Sequence, residues 1–190
     1  MKLLNLPNTI TLIRASFIPI IIAGICGNEP WMLASATALF LLASVLDYLD
    51  GYFARRYGQI TAIGTFFDPI VDKIMMLSLF FIFVDLGLIP LWMALLLLVR
   101  ELLISGLREL GSLKGRVVGA DWTGRMKFRS QVVLVTFILL FLFGESCGYT
   151  INYGREIIYY GTLFNVILAL MFLHIFYWRN RRFFVGKEDK

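Results

Sequence analysis

The stretch DYLDGYFARRYGQITAIGTFFDPIVD, Asp47 to Asp72, decides how this chain is read. It holds four aspartates, Asp47, Asp50, Asp68 and Asp72, at the edges of two apolar segments, Trp31–Leu49 and Asp68–Val84. An aspartate at the centre of a membrane helix costs ~2.5–3.5 kcal/mol. Four of them left unpaired at mid-depth would cost ~10 kcal/mol or more. They therefore need water, cations or both.

That cost matters because the surrounding chain is a membrane sequence. Its 190 residues are 59% hydrophobic and 16% charged, against a usual ~45–50% and ~25%. Mean hydropathy is +0.78. A soluble domain of this size has too few polar side chains here to cover its surface. A soluble enzyme, a disordered tail and a secreted disulfide scaffold are excluded on these grounds. Cys26 and Cys147 form no metal-spacing motif and read as small apolar residues. The net charge of +5 comes without a basic stripe interleaved with aromatics, so nucleic acid is not the expected partner. No linker or repeat divides the chain, and residues 1–190 read as one domain.

Further apolar segments lie at Ile10–Cys26, Pro90–Leu107, Gln131–Phe143 and Ile157–Trp178. Crossing ~30 Å of hydrocarbon takes about 20 helical residues, which most of the six reach once their flanks are counted. The pattern predicts an all-α integral membrane bundle of six transmembrane helices. Arg14 interrupts the first segment, which therefore does not read as a cleaved signal peptide; Asn8-Thr9 after Pro7 reads as a helix start. Six spans put both termini on one side, with the loops near Arg55-Arg56 and Lys114–Arg129 and the tail Arg179–Lys190. The opposite loops hold Glu29, Asp85, Glu145, Arg155 and Glu156. The excess of Lys and Arg predicts that the termini face the cytoplasm across a cell membrane.

Helix rise places the acids in depth. Counted inward from Trp31, Asp47 and Asp50 lie about 24 and 28 Å deep; counted from Asp85, Asp72 and Asp68 lie about 20 and 26 Å deep. All four fall in one layer ~8 Å thick near the cytoplasmic boundary, which predicts a polar, cytoplasm-facing active-site cavity. Each pair, at i,i+3 and i,i+4, projects from a single helix face. If the faces meet, four carboxylates converge and repel unless cations intervene. Oxygen ligands favour hard divalent ions, Mg²⁺ or Mn²⁺, and two such ions balance four aspartates. Gly51 and Ala54 offer a ligand a bare helix face, Gly64 opens space beside Asp68, and Arg55 suits a phosphate. Taken singly, Asp68 before Pro69 also suits a helix N-cap, and Asp47 and Asp50 also suit pairing with Arg55 and Arg56.

The whole string, Asp47-x2-Asp50-Gly51-x2-Ala54-Arg55-x8-Gly64-x3-Asp68-x3-Asp72, closely resembles the signature of the CDP-alcohol phosphotransferases. That resemblance implies transfer of a phosphatidyl group from a CDP-linked lipid to an alcohol, with release of CMP, at the cytoplasmic membrane face. It implies that Asp47, Asp50, Asp68 and Asp72 hold two Mg²⁺ or Mn²⁺ ions and that Asp72 is the general base. It implies that Gly51, Ala54, Arg55 and Gly64 bind the CDP-lipid. A homodimer is usual for the family.

Flanking segments are similar to the bacterial subfamily that uses sn-glycerol 3-phosphate as acceptor. They are Leu6–Arg14, Phe67–Lys73, Arg100–Glu109 and Gly124-x2-Lys127, the last followed by Phe128 where the subfamily usually has Thr. This implies CDP-diacylglycerol and glycerol 3-phosphate as substrates, with Arg100, Arg108, Arg125, Lys127 and Arg129 as candidates for the acceptor phosphate. Other acceptors, inositol phosphate or serine, and an archaeal-type ether-lipid donor are the alternatives within the family. A cation- or proton-coupled transporter would spread its acids through the membrane depth, and a prenyltransferase would space them differently.

Overall fold

A computed structural model describes the backbone of residues 6–57, 62–113 and 122–184, and the side chains of 9–47, 67–111 and 126–181. All of the described regular structure is helical. The elements are α1 (Leu6–Gly27), α2 (Pro30–Tyr57), α3 (Ala62–Asp85), α4 (Leu91–Leu113), α5 (Trp122–Ser146) and α6 (Gly154–Phe184).

Four helices contain runs long and apolar enough to cross a membrane: Thr9–Gly27, Pro30–Asp47, Met126–Ser146 and Gly154–Arg181. Helices α3 and α4 are of similar length, 24 and 23 residues, but carry Asp68, Asp72 and Lys73, and Arg100, Glu101 and Arg108, within their runs. Large apolar side chains such as Leu12, Ile20, Val133, Phe164 and Ile167 face outward. Such a belt is stable against lipid and not against water. Buried Thr37 and Thr162 return their hydroxyls to the carbonyls of Leu33 and Ile158 at 2.7 Å, so neither hydroxyl is stranded.

The helices touch in a closed ring, α1–α2–α5–α6–α4–α3 and back to α1. At the α1–α2 seam, a Cβ built on Gly24 would lie 3.0 Å from Ala36 Cβ and from the Met32 carbonyl oxygen, so a side chain there would hold the helices apart. At one end of the ring the turns are tight and capped. Gly87 (φ 67°) and Gly148 (φ 82°) take the left-handed conformation that glycine tolerates. They close α3 and α5 with paired backbone bonds, Leu88 N–H to Phe83 and Gly87 N–H to Val84, both 2.9 Å, and Tyr149 N–H to Gly144 and Gly148 N–H to Glu145, both 3.0 Å. The joints at the other end, residues 58–61 and 114–121, lie outside the described residues.

Several sequence-derived boundaries move. The segment expected to begin at Asp68 starts at Ala62, so Asp68 lies inside α3 and not at an N-cap, with Pro69 also within the helix. Arg55 and Arg56, expected near a loop, belong to the last turns of α2. The short fifth segment becomes a helix of 25 residues that takes in Arg125, Lys127 and Arg129.

Candidate active site

The site arises where the inward faces of the helices turn from apolar to polar. On α1 the buried positions are Thr11, Arg14, Ile18, Ile21 and Ile25, three and four residues apart as one helix face requires. The first two are polar. On α3 the same face runs Asp68, Val71, Asp72, Met75, Met76 and Leu79, and on α4 it runs Met93, Leu97, Arg100, Ile104 and Arg108. Lys127 and Gln131 begin the buried face of α5. The polar positions fall at the starts of the odd-numbered helices and toward the ends of α2 and α4. Because successive helices along the chain run in opposite directions, these positions gather at one end, opposite the glycine-capped turns.

This end has an acidic wall and a basic wall. In the acidic wall, Asp47, Asp68 and Asp72 are near enough to repel one another. Helices α2 and α3 share no extensive contact among the described residues, whereas α1 packs against both. Its Arg14 is fully buried, lies 2.9 Å from Asp47 Oδ1 and also donates to Asp72. Thr11, one turn earlier, donates its hydroxyl to Asp68. Asp47, Asp68 and Asp72 thus lie at one end of the ring, linked through residues of a third helix. Helix α2 continues through Asp50, Gly51, Ala54 and Arg55, α3 includes Gly64 and α5 includes Arg125, while the side-chain positions of these six lie outside the described residues.

In the basic wall, Lys73, Arg100, Arg108 and Lys127 lie within electrostatic reach of one another. Glu101 is the described carboxylate among them. It pairs with Arg100 at 3.0 Å and with Lys127. Arg100 Nε–H also donates to the Ala169 carbonyl of α6 at 3.4 Å. Lys73 donates to Ser105 Oγ, and that hydroxyl donates to the Glu101 carbonyl at 2.7 Å. Arg108 lies over the Phe176 ring, 6.0 Å from its centroid, and its buried Nε–H has no partner among the described residues. Four cations against Glu101, with Asp72 of the acidic wall also acting on Lys73, leave a partly buried positive surplus, which suits an anion. Arg129 is exposed.

The donor set of the acidic wall is entirely carboxylate oxygen, from α2 and α3, and suits hard dications such as Mg²⁺ and Mn²⁺. Among the described residues, no three Asp, Glu, His or Cys side chains are drawn together tightly enough to hold a metal; the Arg14 guanidinium stands between two of the acids.

A family model for CDP-alcohol phosphatidyltransferase matches residues 4–176. The chain belongs to this family. It is 36% identical over 149 residues to a CDP-diacylglycerol–glycerol-3-phosphate 3-phosphatidyltransferase of Bacillus subtilis, covering 72% of this chain and 77% of that one. It is 33% identical over 166 residues to the enzyme of that name from Rickettsia bellii, covering 86% and 90%. The Escherichia coli enzyme of that name is 31% identical over 140 residues, covering 71% and 76%. Membership makes the protein a membrane phosphatidyltransferase, and the family match spans both walls.

Spacing alone located the acids. It did not assign Thr11, Arg14, Lys73 or Ser105 to the site, although Thr11 and Arg14 share a helix face with Ile18 and Ile21, and that alignment was the available signal.

Proposed function

We propose that this chain transfers the phosphatidyl group of CDP-diacylglycerol to sn-glycerol 3-phosphate, giving phosphatidylglycerol phosphate and CMP. The observation that supports this best is the meeting of the two walls at consecutive residues, Asp72 and Lys73. One wall has the carboxylates that would hold divalent ions against a pyrophosphate, and the other suits a second, independent phosphate. An acceptor without a phosphate leaves the basic wall with no anion to bind. The relatives described above are named for this reaction.

In this reading Asp47, Asp50, Asp68 and Asp72 hold two Mg²⁺ or Mn²⁺ ions. When bound, these neutralise the pyrophosphate and the departing CMP. Gly51, Ala54 and Gly64 let the nucleotide approach the helices, and Arg55 binds its phosphate. Lys127, Arg108 and Arg100 fix the phosphate of the acceptor and so aim its hydroxyl at the reacting phosphorus. Asp72 takes the hydroxyl proton. The acceptor oxygen bonds to the phosphatidyl phosphorus as the bond from that phosphorus to CMP breaks. The active end and both termini face the cytoplasm, because the basic residues collect there and Glu29, Asp85, Glu145 and Glu156 sit at the other end. The working form is a homodimer in the cell membrane.

The test is CMP release by purified protein given CDP-diacylglycerol and one acceptor at a time. Release with glycerol 3-phosphate, and not with serine or inositol phosphate, is expected. Turnover with another alcohol and none with glycerol 3-phosphate would refute the assignment.

A further inference from the structure

Arg14 takes no part in the reaction just described, yet it is the most completely enclosed charge at the site. Long cationic side chains in membrane helices ordinarily turn outward to reach water or headgroups. This one lies on the inward face of α1, in line with Ile18, Ile21 and Ile25. Its amino groups meet Oδ1 of Asp47 on α2 and Oδ1 of Asp72 on α3. Those two helices share no extensive contact with each other among the described residues. The guanidinium therefore joins the acidic faces, and it occupies oxygens that a dication bridging Asp47 and Asp72 would need. Its Nε–H has no hydrogen-bond partner among the described residues, and its Nη1 meets Asp47 as an ion pair and not as a hydrogen bond, so among the described residues charge is what ties it to the two acids.

We propose that Arg14 is the resident counter-cation of the carboxylate site. It holds Asp47 and Asp72 together in the metal-free protein and competes with divalent ions for their oxygens. This rests on the two-ion reading above. Two effects of opposite sign follow from removing it. The metal-free protein loses the charge that offsets its buried acids and becomes less stable. The ions meet less competition and bind more tightly. A merely structural arginine would weaken both.

The experiment uses the full chain in detergent, with melting temperature read in EDTA and in saturating Mn²⁺, and Mn²⁺ affinity read by the resonance of the free ion. The variants are Arg14→Gln, Arg14→Lys and the double substitution Arg14→Gln/Asp72→Asn. Arg14→Gln is expected to melt about 10 °C lower in EDTA, to regain most of that loss in Mn²⁺, and to bind Mn²⁺ about tenfold more tightly. Arg14→Lys should fall between it and the wild type. The double variant, with one acid neutralised, should recover stability in EDTA, and this comparison carries the test if Arg14→Gln alone does not fold. Mn²⁺ binding with unchanged or weakened affinity in Arg14→Gln, or a double variant no more stable than the single one, overturns the proposal while leaving the two-ion reading in place. No Mn²⁺ binding by any form, wild type included, overturns the two-ion reading and the competition together.

Discussion

Replacing Glu101 with Gln removes the described carboxylate from among four cations. Glu101 is 15% exposed, and its partners Arg100 and Lys127 are 6% and 5% exposed, so water screens the loss poorly. Removing one partner of a buried pair costs about 3–5 kcal/mol. Glutamine retains shape and one acceptor oxygen, which argues for the lower end, about 3 kcal/mol. A chain of this length loses ~2–4 °C per kcal/mol, so the melting temperature should fall by about 6–12 °C. The surplus positive charge should then be open to rescue by an anion. Glycerol 3-phosphate at 100 times its dissociation constant returns about 2.7 kcal/mol, or roughly 5–10 °C. It should stabilise Glu101→Gln more than wild type, where Glu101 competes for the same cations. Thermal melting in detergent across a glycerol 3-phosphate titration, with glycerol as the uncharged control, checks this. A variant melting within about 1 °C of wild type, or equal shifts with glycerol and its phosphate, would refute the reasoning.

Lys127→Met should raise the KM for glycerol 3-phosphate at least about tenfold and leave the KM for CDP-diacylglycerol nearly unchanged, as steady-state kinetics would show, because a charge-assisted phosphate contact is worth roughly 1.5–3 kcal/mol. Asp68→Asn should abolish turnover while gel filtration and melting still report folded protein, since the substitution removes charge and not volume. Chelation with EDTA should stop CMP release, and Mg²⁺ or Mn²⁺ should restore it, while Ca²⁺, with its longer oxygen bonds, should restore less. Gly24→Leu should lower the melting temperature by about 2–12 °C, because the new side chain meets Ala36 and the Met32 carbonyl at the α1–α2 seam.

Much of this site was legible from spacing. Asp68 and Asp72, one helical turn apart, share a face whatever their neighbours are, and depth counted from Trp31 and Asp85 put the acids in one layer. Helix ends were less legible. Nothing local stops α2 at Leu49, so the helix carries Arg55 and Arg56 to Tyr57. Pro69, which removes one backbone donor, is absorbed within α3 instead of starting it. Least legible was the order of the ring. A helix face shows what it would bury but not against which partner. Hence whether the acidic faces of α2 and α3 meet was left open by the sequence, and α1 packs against both helices with Thr11 and Arg14 at their acids. The basic wall was legible in part. Arg100, Arg108 and Lys127 were expected there, while Lys73 was hidden behind Asp72 and Arg129 is exposed.

Glycerol 3-phosphate-dependent CMP release by wild type and by Asp72→Asn, in Mg²⁺ and from the same purified preparation, tests the joined action of the two walls most directly. The expected result is steady release by wild type and none above background from a folded Asp72→Asn. Comparable release by both would contradict the account.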